Sequence, residues 1–87
     1  GGLMVTVMKF SSKGCGPCRM IDAITEDLMC VKSIDIDEHP ELVEEYSIAS
    51  VPTLIFFNDG IEYSRTVGLV SKQIIESEIA NGRDTIR

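Results

Sequence analysis

The chain has 87 residues, too few for two domains that each carry a core, so a single domain over residues 1–87 is expected. At 44% hydrophobic and 25% charged it has the composition of a soluble globule rather than a disordered tail, and no apolar run is long enough to span a bilayer. Eight Lys and Arg stand against 14 Asp and Glu, a formal charge of -6, which repels phosphate backbones and anionic lipid; neither nucleic acid nor a membrane is an expected partner.

Leu3 to Phe10 is β-branched and apolar on both faces apart from Thr6 and Lys9, the pattern of a central, parallel strand. Ser11-Ser12-Lys13-Gly14 breaks the run. From Cys15, Ile21, Ile24 and Leu28 recur at helical spacing with Asp22, Glu26 and Asp27 opposite, predicting a helix to about Met29. Val31 to Asp37 reads as a second strand, and strand, helix, strand at this length implies a parallel βαβ crossover. His39-Pro40 opens a short helix to about Tyr46, since Pro suits a first-turn position. Ser47 to Val51 is a loop. Thr53 to Phe57 and Ile61 to Val67 form an antiparallel hairpin about Asn58-Asp59-Gly60, closed by Gly68. Ser71 then caps a last helix with Ile74, Ile75 and Ile79 on its apolar face and Asn81-Gly82 as its stop.

Three cysteines, two of them only three positions apart, make a poor disulfide staple, because so short a loop removes little unfolded-state entropy. The first residues, Gly1-Gly2-Leu3-Met4, carry no signal-peptide pattern, and Gly1-Gly2 reads as an expression remnant. A reducing, cytoplasmic setting is therefore expected, where a Cys-x-x-Cys is reactive or metal-binding rather than structural.

The chemistry concentrates at Cys15-Gly16-Pro17-Cys18, where the first strand hands over to the first helix. At a helix N-terminus unpaired N–H groups and the positive end of the dipole favour a thiolate, the nucleophilic form, at Cys15. Cys18, one turn inside, is placed to attack the mixed disulfide that Cys15 forms. Gly16 lets a substrate backbone approach, and Pro17 pre-sets the first turn while removing a donor that would lack a partner. The competing reading is zinc held by Cys15, Cys18, Cys30 and His39; a helix start disfavours a cation, so no metal is expected. Cys30 alone reads as a small buried hydrophobe at a helix end.

With these residues in view the chain resembles the thioredoxin family, and the likeness extends beyond the cysteine motif. It runs through Asp37-Glu38-His39-Pro40, Tyr46, Ile48, Val51-Pro52-Thr53, Leu54-Ile55-Phe56-Phe57, Asp59-Gly60, Val67-Gly68 and Ser71-Lys72. The resemblance implies an α/β, minimal thioredoxin fold, βαβ-α-ββα, with a four-stranded mixed sheet flanked by helices. It implies a cis Pro52 packed against the cysteine pair, and a substrate groove of Val51, Pro52 and Gly68 in which Val51 offers its backbone N–H and C=O to an extended segment. The implied activity is reduction of disulfide-containing proteins by a monomer that uses the Cys15–Cys18 disulfide itself in place of a cofactor and is recycled by a thioredoxin reductase or similar donor.

Departures from the family accompany the matches. Its usual first strand and helix are absent, the tryptophan before the first cysteine is Gly14, and the buried acid that assists the second cysteine falls at Lys9. Lys9 therefore either pairs with a nearby carboxylate such as Asp35, favours a cysteine thiolate when charged, or takes a proton from Cys18 when neutral. Two other functions compete. A glutaredoxin-like protein reduced by glutathione would suit the size, but such proteins have a Tyr inside the cysteine motif and a Gly-Gly then acidic segment after the hairpin, where this chain has Gly-Pro and Gly68-Leu69-Val70-Ser71. A redox-inert docking module has no use for the intact cysteine pair. The acids Asp22, Glu26, Asp27, Glu41, Glu44 and Glu45 read as a solvated surface.

Overall fold

The computed structural model describes residues 4–84; Gly1-Gly2 and the expected strand start at Leu3 lie outside them. The elements run β1 (Val5–Ser11), α1 (Gly16–Thr25), β2 (Val31–Asp35), α2 (Pro40–Glu45), β3 (Thr53–Asn58), β4 (Ile61–Val67) and α3 (Lys72–Asp84). The four strands form one mixed sheet in the order β2-β1-β3-β4. β1 pairs parallel with β2 and antiparallel with β3, so its apolar run lies inside the sheet as its composition demands. The hairpin turn places both Asp59 (φ 50) and Gly60 (φ 85) at positive φ, the backbone whose twist matches two flanking antiparallel strands.

Strand alternation divides the core between the two faces of the sheet. Val5 and Val7 of β1 and Leu54 and Phe56 of β3 meet Ile21 of α1 and Ile75 and Ile79 of α3 on one face. Phe10, Ile55 and Phe57 fill the other, with Leu42 and Tyr46 from α2 and its end packed over them. Each such side chain, taken fully out of water, contributes roughly 1.5–3 kcal/mol. Lys9 shares the parity of Val5 and Val7, and so enters the face that α1 covers.

Element ends depart from expectation where local hydrogen bonds take over. α1 stops at Thr25 rather than Met29: the Thr25 hydroxyl donates back to the Ile21 carbonyl (2.7 Å), and Leu28 N donates to the Thr25 carbonyl (2.9 Å), turning the chain. Glu26 and Asp27, unfavourable beyond a helix C-terminus, reinforce the stop. β2 ends at Asp35 rather than Asp37, because the Asp35 carboxylate accepts from Asp37 N (2.8 Å) and its carbonyl from Glu38 N and His39 N (3.1 Å each). The Ser71 hydroxyl accepts from Ile74 N (3.2 Å), the cap expected of it.

α3 does not stop at Asn81-Gly82 but passes through them. Gly82 is buried against the Tyr63 ring, where a Cβ would collide with the phenol. Its carbonyl accepts from Asn58 Nδ2, and Tyr63 OH donates to the Glu78 carbonyl (2.8 Å). The glycine serves close packing, not termination. Ile74 is exposed while Ile75 and Ile79 are buried, since neighbours on a helix lie about 100° apart and only one set faces the sheet.

Candidate active site

β1 delivers the chain to one end of the sheet, and Gly14, at φ 80, turns it into α1. Cys15 is the N-cap of that helix, with extended backbone (φ -85, ψ 109), and its Sγ accepts from Cys18 N at 3.2 Å. Pro17 occupies the first turn, where its missing N–H removes no helical hydrogen bond. Gly16 is exposed beside it. Cys15 and Cys18 are joined as a disulfide with their Cα atoms 5.2 Å apart. The two sulfurs differ in access: Cys15 is partly exposed, whereas Cys18 is 2% exposed.

The loop before β3 closes over the pair. The Val51–Pro52 peptide is cis, Pro52 is fully buried, and the Val51 carbonyl oxygen lies 3.9 Å from Cys15 Sγ. Gly68, at φ 86, donates its N–H to the Pro52 carbonyl at 2.8 Å. The structure thus brings Val51, Pro52 and Gly68 together at the cysteine helix. Beside them Met20 and Leu69, both more than half exposed, line a shallow apolar depression with Ile24 and Val70.

Lys9 has a side chain only 7% exposed, and its Nζ lies 2.6 Å from Asp22 Oδ1. The partner is Asp22, not Asp35. Asp35 is held in its turn by Asp37 N, whereas Asp22 lies on α1 within reach of the odd-numbered face of β1. Asp22 therefore does not belong to a purely solvated helix face, although half its side chain remains exposed. Its spacing of four from Cys18 is the signal in the sequence: on a helix that interval puts both residues on one face. Asp22, Asp35, Lys13 and Arg19 border a depression that reaches Cys15 and Cys18.

Cys30 and His39 do not join the pair. Cys30 is a free, half-buried thiol in the turn before β2, packed against the core beneath α1 and α3, and His39 Nδ1 lies 3.2 Å from Glu41 Oε2. Among the described residues no group of three or more His, Cys, Asp or Glu is placed to hold a metal ion.

A family model described as Thioredoxin matches residues 4–81. The chain is 38% identical over 74 residues to a thioredoxin of Chlamydia caviae, spanning 78% of this chain and 72% of that one. It is 38% identical over 81 residues to a thioredoxin of Chlamydia pneumoniae, spanning 86% and 79%. Among solved structures, a point mutant of the thioredoxin from Halobacterium salinarum superposes with a TM-score of 0.88 at 31% identity, over 95% of this chain and 78% of that one.

Proposed function

Since the chain belongs to the thioredoxin family and is a thiol–disulfide oxidoreductase built on the Cys15–Cys18 pair, we propose that it reduces disulfides of proteins, with Cys15 as nucleophile and Cys18 as resolving thiol. The observation that carries this reading is the asymmetry of the pair: Cys15 is partly exposed at the helix start, and Cys18 is enclosed one turn inside.

The Cys18 N–H that donates to Cys15 Sγ in the disulfide, together with the helix dipole, is placed to hold a Cys15 thiolate once the pair is reduced. It attacks one sulfur of the substrate disulfide, and the other leaves as a thiolate. Cys18 then loses its proton and attacks Cys15 Sγ, which forms the Cys15–Cys18 bond and releases the second substrate sulfur. Two electrons pass to the substrate, and the pair ends oxidised, so the redox group is the protein's own.

Gly16 and Pro17 shape the approach to Cys15. Val51 supplies backbone hydrogen bonds to an extended substrate strand, with Pro52 and Gly68 forming the groove floor and rim. Exposed Val67, Leu69 and Met20 suit a polypeptide substrate, which has apolar side chains to cover them. Lys9 acts through its ion pair rather than on sulfur directly. The working unit is a cytoplasmic monomer recycled by a thioredoxin reductase or similar donor.

The test is catalysis of the reduction of an exposed protein disulfide by dithiothreitol, followed by turnover with NADPH. Turnover with a thioredoxin reductase is expected; turnover only with glutathione and its reductase would refute the assignment of the electron donor.

A further inference from the structure

We infer that Asp22 takes the proton from Cys18 in the resolving step, and that Lys9 is the positioning residue that holds the Asp22 carboxylate for that task. The inference rests on the reading of Cys18 as the resolving thiol, and extends it to a residue that the active-site motif does not contain.

Cys18 is enclosed, and a thiol in such surroundings gives up its proton reluctantly, while only the thiolate attacks a disulfide. The resolving step therefore calls for a base. Asp22 lies four residues further along α1, which brings its Cβ within about 5–6 Å of that of Cys18 on the same helix face. Both border one depression, and Asp22, with 52% of its side chain exposed, connects it to solvent.

The other charged groups there are less suited. Asp35 is engaged by Asp37 N, Lys13 and Arg19 are basic side chains rather than carboxylates, and Glu26 lies a further turn away at the C-cap of α1. Lys9 reaches up from β1 beneath the helix and holds one Asp22 carboxylate oxygen through a 2.6 Å contact, so the half-exposed carboxylate stays at the rim of the depression. A buried ammonium needs such a partner in any case. The pair thus meets the needs of both groups and leaves the second carboxylate oxygen available.

The step balances. The Cys18 S–H proton passes to Asp22, directly or through one water. The Cys18 thiolate forms the bond to Cys15 Sγ as the Cys15–substrate bond breaks. The departing substrate thiolate takes a proton from solvent, and Asp22 returns its own to solvent through the open side of the depression.

The test is the rate at which a preformed Cys15 mixed disulfide resolves, followed from about pH 5 to 10 in the parent, Asp22→Asn, Asp22→Glu and Lys9→Met/Asp22→Asn. Asparagine keeps an oxygen for Lys9, so the loss of stability is smaller than with alanine, and the double variant removes the unpaired ammonium altogether. Asp22→Asn should slow resolution about tenfold at neutral pH, the low end for a half-exposed base, and the rate should recover as the medium becomes alkaline enough to ionise Cys18 unaided. Asp22→Glu should restore most of the rate. The double variant, with no unpaired ammonium left, should stay slow. A parent-like rate and pH profile in Asp22→Asn, or recovery in the double variant, would overturn the inference. Alkylation of Cys15 in a Cys18→Ser background tests the underlying reading separately: if Cys15 is not the attacking sulfur, it is the role assignment that falls.

Discussion

Gly68→Ala separates the groove from the cysteines. Gly68 sits at φ 86 with open space where a Cβ would project, so the substitution meets strain but no collision. Holding an L-residue in left-handed backbone costs about 1–2 kcal/mol. Part of this is offset by about 0.4–1 kcal/mol from the lower entropy of the unfolded chain. The net loss, about 1 kcal/mol, corresponds to a Tm lower by about 4–8 °C for a domain of this size. The new methyl is carried by the residue whose N–H donates to the Pro52 carbonyl, on the rim of the proposed substrate groove. A substrate backbone that must lie there loses close approach, and KM for a protein disulfide should rise about tenfold, equivalent to about 1.4 kcal/mol. A small aromatic disulfide, which needs only Cys15, should be reduced at the parent rate. Thermal unfolding and steady-state kinetics with the two substrates give the comparison, and Gly68→Asn, better suited to positive φ, should recover part of the Tm but not the KM. An unchanged KM for the protein substrate would refute the groove, and equal losses on both substrates would show that the glycine acts on the cysteines instead.

Gly82→Ala should destabilise the protein: a helix gain of about 1 kcal/mol is outweighed by an overpacking cost of about 1–3 kcal/mol against Tyr63, whose bond to the Glu78 carbonyl is also disturbed. A higher urea midpoint would contradict it. The Lys9–Asp22 pair should respond asymmetrically. Asp22→Ala leaves a buried ammonium without its carboxylate and should cost toward the lower end of about 3–5 kcal/mol, whereas Lys9→Met, which leaves a carboxylate able to reach water, should stay within about 1 kcal/mol of the parent. Equal losses in urea titrations would argue against it. Burial holds the Tyr63 phenol above its ordinary pKa of 10.0, helped by the Glu78 charge. The unfolded chain therefore ionises first, and the fold loses stability as pH rises from about 10 toward the folded value. Tyr46 is raised likewise by burial, so Tyr63→Phe should flatten the alkaline fall in Tm without abolishing it.

The parts legible in the sequence were those written in periodicity and turn chemistry. The two-sided apolar run of β1, the Asn58-Asp59-Gly60 hairpin and the Ser71 cap each follow from local rules, and the structure has them where those rules put them. The cysteine motif at a strand-to-helix junction likewise identified the chemistry. Long-range packing was what stayed hidden. Gly82 looks like a stop signal until Tyr63, far back on β4, is seen to need its missing side chain. Asp22 looks like surface charge until strand parity turns Lys9 toward α1. In both positions a residue with a familiar local meaning is used by a partner on another element, and neither partnership, with Tyr63 or with Lys9, is visible in a short window of the chain.

The central claim is the division of labour between the two sulfurs, and trapping tests it most directly. Cys18→Ser, incubated with a disulfide-containing protein, should accumulate a covalent adduct that peptide mass spectrometry places on Cys15, while Cys15→Ser should accumulate little, because Cys18 is enclosed. An adduct carried by Cys18 in the Cys15→Ser protein, formed as fast as that on Cys15 in Cys18→Ser, would contradict the account.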